Sequence, residues 1–220
     1  RAAKASVMLN RNMQQEVFVS PPINLEQPCV LVLAAGRGER FLASGGTTHK
    51  LQAMLGPQTV LQTTLAAVQA SGLPWHVEYG PHPGMGDSIA AAVKATACAN
   101  GWLILPADLP LVQPQTLKTL ALQLLSADAG DAALQVIQPF YQAEDQAINQ
   151  AQEGLKGHPV AFSRAAAQAL MQLRGDQGAS TVVRKAAENQ QLKRWACDDI
   201  GCVLDVDTVQ ALAQARKIWQ

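Results

Sequence analysis

The sequence has no excess of either charge. Seventeen lysines and arginines face seventeen aspartates and glutamates across 220 residues, for a formal net charge of zero. Such a chain carries no global field for nucleic acid or an anionic membrane, so any site for a polyanion must be local. It has no apolar run approaching the roughly 20 residues of a membrane span. Its four cysteines, Cys29, Cys98, Cys197 and Cys202, form no C-x-x-C pair. They are expected to be reduced, mostly buried thiols in a cytoplasmic protein. The first residues, RAAKASVMLNRNMQQEVF, are weakly basic without a long apolar segment or a clear cleavage site, so a signal peptide is not expected. There is no Walker A pattern, no internal repeat and no low-complexity linker. Residues 1–27 show no stable period and are expected to be an N-terminal extension, which can include residues added in cloning. One domain is expected over 28–220.

What is present alternates. The short apolar run CVLVL opens a strand at about 29–34, and WLILP (102–106) reads as a fully buried strand. WHVEY (75–79), ALQVIQPFY (133–141) and PVAFS are further strand candidates, with others near 193–197 and 202–205. Helical spacing appears over 58–71, stopped by Gly72, and over 115–126 after Pro114. A helix capped by Asp87 or Ser88 should run through SIAAAVKATACA. Others are expected over 163–173, after Gly178, and through TVQALAQARKIW at the end. Residues 142–156 read as a polar insertion, a loop or short surface helix. Strands alternating with helices predict a Rossmann-like three-layer α/β fold with a mostly parallel sheet.

Three segments carry chemistry. The first, LAAGRGERFLASGGTTHK (Leu33 to Lys50), follows the first strand, where ligands bind in such sheets. Gly36 and Gly38 let the backbone approach phosphate oxygens, Arg37 and Arg40 can fork onto phosphates, and Lys50 can place a point charge on them. The dinucleotide fingerprint fails here, because Gly36-x-Gly38 is followed by Phe41; the alternative is a surface turn with solvated charges. The second is LPADLP (Leu105 to Pro110), where Asp108 stands at the end of a buried strand and can hold Mg²⁺ or serve only as a cap or turn residue. The third is DVDT (Asp205 to Thr208). Two carboxylates at i and i+2 on a strand point the same way and repel unless a cation lies between them; Asp207 can equally cap the last helix.

These segments, with GMGDS (84–88), GHPVAF (157–162) and GDQGAS (175–180), resemble the MobA-like nucleotidyltransferases, in the order seen there. The likeness covers about 29–220 and leans towards molybdenum cofactor cytidylyltransferases, since LAAG with PADLP is the pattern of that branch. It implies an enzyme that uses Mg²⁺ to move a nucleotidyl group from a nucleoside triphosphate, CTP favoured, to a phosphorylated small-molecule acceptor. Molybdopterin is the acceptor implied, with release of pyrophosphate. A molybdoenzyme or its chaperone is the protein partner such a role suggests; no nucleic acid and no membrane are expected. By the same resemblance Leu33, Ala34, Ala35, Gly36, Arg37, Gly38 and Lys50 bind the nucleotide, and Gly84, Met85, Gly86 and Ser88 lie near base and ribose. Arg40, Lys50 and Asp108 are the catalytic set, and Asp108 with Asp207 the metal ligands. His158, Asp176 and Gly178 border the acceptor. Met85 is either a base contact or a buried gap-filler, and His158 either an acceptor contact or a turn residue. His49, His76 and His82 read as structural or solvated. The alternatives are a nucleotidyltransferase for a sugar or polyol phosphate and a non-catalytic nucleotide-binding protein.

Overall fold

Two uninterrupted apolar runs form the centre of the sheet. A computed structural model describes residues 20–128, 136–142 and 154–219. In it β1 (Cys29–Leu33) lies between β4 (Trp75–Glu78) and β5 (Trp102–Pro106), parallel to both. The runs are apolar throughout because both faces are covered. Val30, Val32, Leu103 and Leu105 pack into one core with α2 (Val60–Ala70), α4 (Pro114–Asp128) and α7 (Val209–Trp219). Cys29, Leu31, Trp102 and Ile104 pack into the other with α3 (Met85–Ala95), α5 (Ala167–Met171) and α6 (Ser180–Glu188). This is the two-residue alternation of a strand buried on both sides.

Beyond β5 the sheet becomes mixed. β8 (Val160–Phe162) runs antiparallel to β5 and to the first residues of β6 (Val136–Tyr141). β7 (Leu155–Lys156) runs antiparallel to the last residues of β6, and β9 (Leu192–Cys197) pairs in parallel along its other edge. Five of the seven strands therefore share one direction, the mostly parallel α/β sheet expected. β7 and β8 act as one strand broken at Gly157–His158–Pro159, where the Gly157 N–H donates to the Pro139 carbonyl and the His158 N–H to the Cys202 carbonyl. A small hairpin, β2 (Met54–Leu55) with β3 (Gln58–Thr59), stands apart. α1 (Glu39–Ala43) is a short turn of helix after the first loop. Among the described residues no helix is long and apolar enough to cross a membrane.

Several elements differ from expectation. The strand expected at 202–205 is a 3-10 turn (Ile200–Cys202) followed by irregular backbone. Asp199 caps it by accepting from the Gly201 N–H, and the same carboxylate accepts from Gln113 N–H and the Thr116 hydroxyl at the start of α4. Local capping thus outcompetes the β-propensity of Cys-Val-Leu. The helix expected over 163–173 is split into a 3-10 turn (Arg164–Ala166) and α5. α3 begins three residues before Ser88, so neither Asp87 nor Ser88 caps it. Its N-cap is Gly84, and the Gly86 N–H is satisfied by the Gly175 carbonyl at 2.7 Å. α2 begins at Val60 rather than 58, because Thr59 and Gln62 form a capping box. Strand β6 begins at Val136; residues 133–135, most of the polar 142–156 segment and residues 1–19 lie outside the described residues. The described end of the expected extension contacts the domain: Ser20 accepts from the Trp75 N–H, and Ile23 packs against the second core.

Candidate functional site

The carboxyl ends of β1, β4 and β5 open into a cavity of about 750 Å³. Its first wall is the loop after β1. Gly38 sits at φ +68°, in the left-handed region, and a Cβ there would come within 3.2 Å of the His49 ring. His49 is therefore structural: its Nε2 lies 2.9 Å from the Gly36 carbonyl and its Nδ1 accepts from the Leu51 N–H. The tautomer with hydrogen on Nε2 satisfies both contacts, so the imidazole ties the loop to the turn that presents Lys50.

Lys50 reaches two carboxylates at once. Its Nζ lies 2.5 Å from Asp108 Oδ2 and 2.5 Å from Asp207 Oδ1, and Arg40 reaches the other oxygen of Asp207 at 2.5 Å. The side chains of Lys50 and both aspartates are only 12–13% exposed, whereas Arg40 is 78% exposed. Burial opposes charge on Lys50, but the two carboxylates outweigh it and hold its ammonium above the ordinary lysine value. Burial likewise pushes Asp207 up, and Lys50, Asp205 and Arg40 more than reverse it, leaving the carboxyl below its usual range. Burial and the neighbouring Asp207 push Asp205 up.

The backbone explains the convergence. The Val206 N–H donates to the Asp108 carbonyl at 2.9 Å, which sews the 205–207 segment beside the tip of β5. Val206 is fully buried, and Asp205 and Asp207 on either side of it both line the cavity although no strand forms there. Oxygens of Asp108, Asp205 and Asp207 lie within 4.8 Å of one another, and Asp108 Oδ1 is buried without a hydrogen-bond partner among the described residues. An all-oxygen set with one unpaired buried oxygen fits a hard divalent cation such as Mg²⁺ or Mn²⁺.

The cavity's other flank is built by close packing. Gly84 and Gly86 face the 174–176 turn so closely that a Cβ would come within 2.4 Å of the Gly175 carbonyl carbon and 2.8 Å of the Arg174 carbonyl oxygen, respectively. Gly178, at φ +56°, has the Met85 sulfur 2.9 Å from its Cβ position. The Asp87 carboxylate accepts from the Gly175 N–H, fixing this turn to α3. Near the break in the β7–β8 strand, His158 is half-buried, with its Nδ1 sealed and unpartnered among the described residues; burial pushes its imidazole down, against the pull of Asp108 and the Ile104 carbonyl.

Of the residues singled out in the sequence, Leu33, Ala35, Gly36, Arg37, Gly38 and Arg40 line the cavity, as do Lys50, Asp108 and Asp207. So do Gly84, Met85, Ser88, His158 and Asp176. Ala34, Gly86 and Gly178 do not. Ala34 packs against the core, and the two glycines are where α3 and the 174–178 turn touch. Asp205 and Lys156, which sequence reading does not place in the site, and His82, which it reads as structural or solvated, also line the cavity. For Asp205 the i, i+2 spacing to Asp207 was the available signal; a lone histidine between prolines and a lone lysine offer none.

The sequence profile described as the MobA-like NTP transferase domain matches residues 64–192. Rv0371c of Mycobacterium tuberculosis H37Rv is similar at 24% identity and a TM-score of 0.65, over 88% of this chain and 99% of that one. The same protein has also been solved in complex with manganese. A nucleotidyl transferase of Methanothermobacter thermautotrophicus, Mth528, is similar at 18% identity and a TM-score of 0.65, over 88% and 98%. A CMP:2-keto-3-deoxy-manno-octonic acid synthetase complexed with CTP is similar at 16% identity and a TM-score of 0.53, over 87% and 98%. At these identities the likenesses show the shared fold. One stretch of 23 residues is 83% identical to the putative LysR family substrate binding domain-containing protein YagP of Escherichia coli (strain K12), covering 10% of this chain and 17% of that protein.

Proposed function

We propose that this chain, which belongs to the family of MobA-like NTP transferase domains, transfers CMP from CTP to a phosphate of a molybdopterin-type acceptor and releases pyrophosphate. In this reading one domain spans 28–220 and the site residues are those of the cavity. The observation that carries it is the meeting of Arg40, Lys50 and the glycine loop with three carboxylates inside one cavity. The choice of cytidylyl over guanylyl rests on the LAAG and PADLP segments.

An acceptor phosphate oxygen attacks the α-phosphorus in line. A P–O bond to the acceptor forms as the α–β bridging P–O bond breaks, and pyrophosphate leaves with the electron pair. An ionised phosphate needs no general base, so the work of the protein is charge neutralisation and alignment. A divalent cation held by Asp108 and Asp207, with Asp205 beside them, would supply Lewis-acid polarisation of phosphoryl oxygen. Lys50, freed from those carboxylates, turns its ammonium to the β- and γ-phosphates, and the exposed Arg40 can follow the leaving group. Backbone of Gly36 and Gly38, braced by His49, lies against the phosphates. His158, which lines the cavity at the break in the β7–β8 strand, borders the acceptor, and Asp176 lines the cavity beside Gly84.

The test is pyrophosphate release with CTP, GTP, ATP and UTP, with and without Mg²⁺, offered molybdopterin cofactor or a sugar phosphate. Turnover with CTP and the pterin supports the reading. Turnover only with a sugar or polyol phosphate replaces the acceptor, and tight nucleotide binding without turnover on any acceptor marks a non-catalytic binding protein.

A further inference from the structure

We propose that His82, held in one tautomer by Glu78, reads the nucleobase by accepting a hydrogen bond from the 4-amino group of cytosine. This rests on the nucleotidyltransferase reading of the cavity and adds a residue that selects its substrate.

The cavity has two ends, and strand order fixes which side chains stand at each. Leu33 of β1 pairs with Pro106 of β5 on one side and with Glu78 of β4 on the other. Asp108 follows β5, and His82 follows β4, so the two lie beyond strands about 10 Å apart across β1. The triphosphate belongs with Lys50 and the carboxylates beyond β5. The base is then directed to the end lined by His82, Pro83, Met85 and Ser88, which Asp176 borders beside Gly84.

At that end Glu78 is gripped twice. Its Oε2 lies 3.2 Å from His76 Nε2 and its Oε1 lies 2.8 Å from His82 Nε2. A carboxylate only accepts, so each imidazole carries a hydrogen on Nε2, and in the neutral ring Nδ1 of His82 is left as an acceptor. Among the described residues Nδ1 has no protein partner, and it is not sealed from solvent. Gly80 presses against Ala35, its Cβ position only 3.1 Å from the Ala35 Cβ, which holds the 79–82 segment beside the first loop. An acceptor fixed at the 4-position of a pyrimidine pairs with the amino group of cytosine and opposes the carbonyl of uracil. His82 is the specificity-determining residue and Glu78 its positioning residue.

The experiment is equilibrium binding of CTP and UTP, each with Mg²⁺, to the full chain and to His82→Ala and Glu78→Gln. The wild type should prefer CTP by about tenfold or more, the yield of one hydrogen bond gained against one group opposed. His82→Ala should lose about tenfold for CTP and little for UTP. Glu78→Gln can donate to Nε2, which permits the other tautomer, so the CTP:UTP ratio should fall towards one while the thermal midpoint stays near wild type. A merely structural role for Glu78 would weaken both nucleotides alike. An unchanged ratio in both variants overturns the His82 assignment and leaves the transferase reading standing. A wild type that binds no triphosphate removes both.

Discussion

The two ends of the cavity are built by different means. The end beyond β5 is made of side-chain charge brought from far apart: Lys50 reaches Asp108 across 58 residues of sequence and Asp207 across 157. The end beyond β4 is made of backbone contact, with Gly84 and Gly86 lying against the 174–176 turn and Gly80 against Ala35. In the proposed reading charge handles the reacting phosphates, where electrostatic effects are largest, and close packing shapes the part that tells one base from another. Substitutions at the first end should therefore damage chemistry, and those at the second should damage shape and selectivity.

The largest effect is expected from Asp108→Asn. The neutral amide keeps the volume but removes the charge that would anchor a cation, so turnover should fall by about a thousandfold with near-native circular dichroism. Near-normal turnover would take Asp108 out of the metal site. Lys50→Ala comes next. In cation-free buffer it leaves two largely buried carboxylates facing each other and should cost roughly 3 kcal/mol in denaturant titration, part of which added Mg²⁺ restores. It should also weaken CTP binding more than CMP binding; equal loss would deny Lys50 a role at the β- and γ-phosphates. The clasp has a pH signature as well. Lys50 is held above its ordinary 10.5, so its contribution to stability is complete below pH 10.5 and is lost as the pH rises past it, a loss that Lys50→Ala should not show.

At the packed end, Gly86→Ala would set a Cβ 2.8 Å from the Arg174 carbonyl and should destabilise by about 1–3 kcal/mol. Its kinetic effect should be on KM for both substrates, because the displaced turn carries Asp176; an unchanged KM would separate that turn from the site. The smallest effect is expected from His49→Ala. Losing the brace between Gly36 and Leu51 should cost about 1 kcal/mol, read as a several-fold rise in KM for the nucleotide with kcat nearly unchanged.

The contrast between the ends also explains what could be read from the residues alone. The two central strands were legible because a strand buried on both faces leaves an unbroken apolar run, as Cys29–Leu33 and Trp102–Pro106 do. The charged residues stood out for their chemistry, and Arg40, Lys50, Asp108 and Asp207 do meet in space. The packed end was harder. Gly86 and Gly178 were visible in motifs, but a glycine that touches ligand and a glycine that touches backbone look alike in sequence, and these two lie at a helix–turn contact. β7, two residues long, has too little length to show a period. The strand expected at 202–205 failed because the deciding group, the Asp199 carboxylate, acts through hydrogen bonds to Gly201, Gln113 and Thr116 that no local pattern shows. His82 gave no signal because its meaning depends on Glu78 and on the cavity beside it.

The most direct measurement is a Mn²⁺ titration followed by electron paramagnetic resonance, with and without CTP, on the wild type and on Asp108→Asn and Asp207→Asn. The expected result is a bound ion whose affinity rises when CTP is present, as Lys50 leaves the carboxylates for the phosphates, and which both variants lose. Mn²⁺ binding that is indifferent to CTP and survives in both variants would contradict a cation site shared between these carboxylates and a triphosphate.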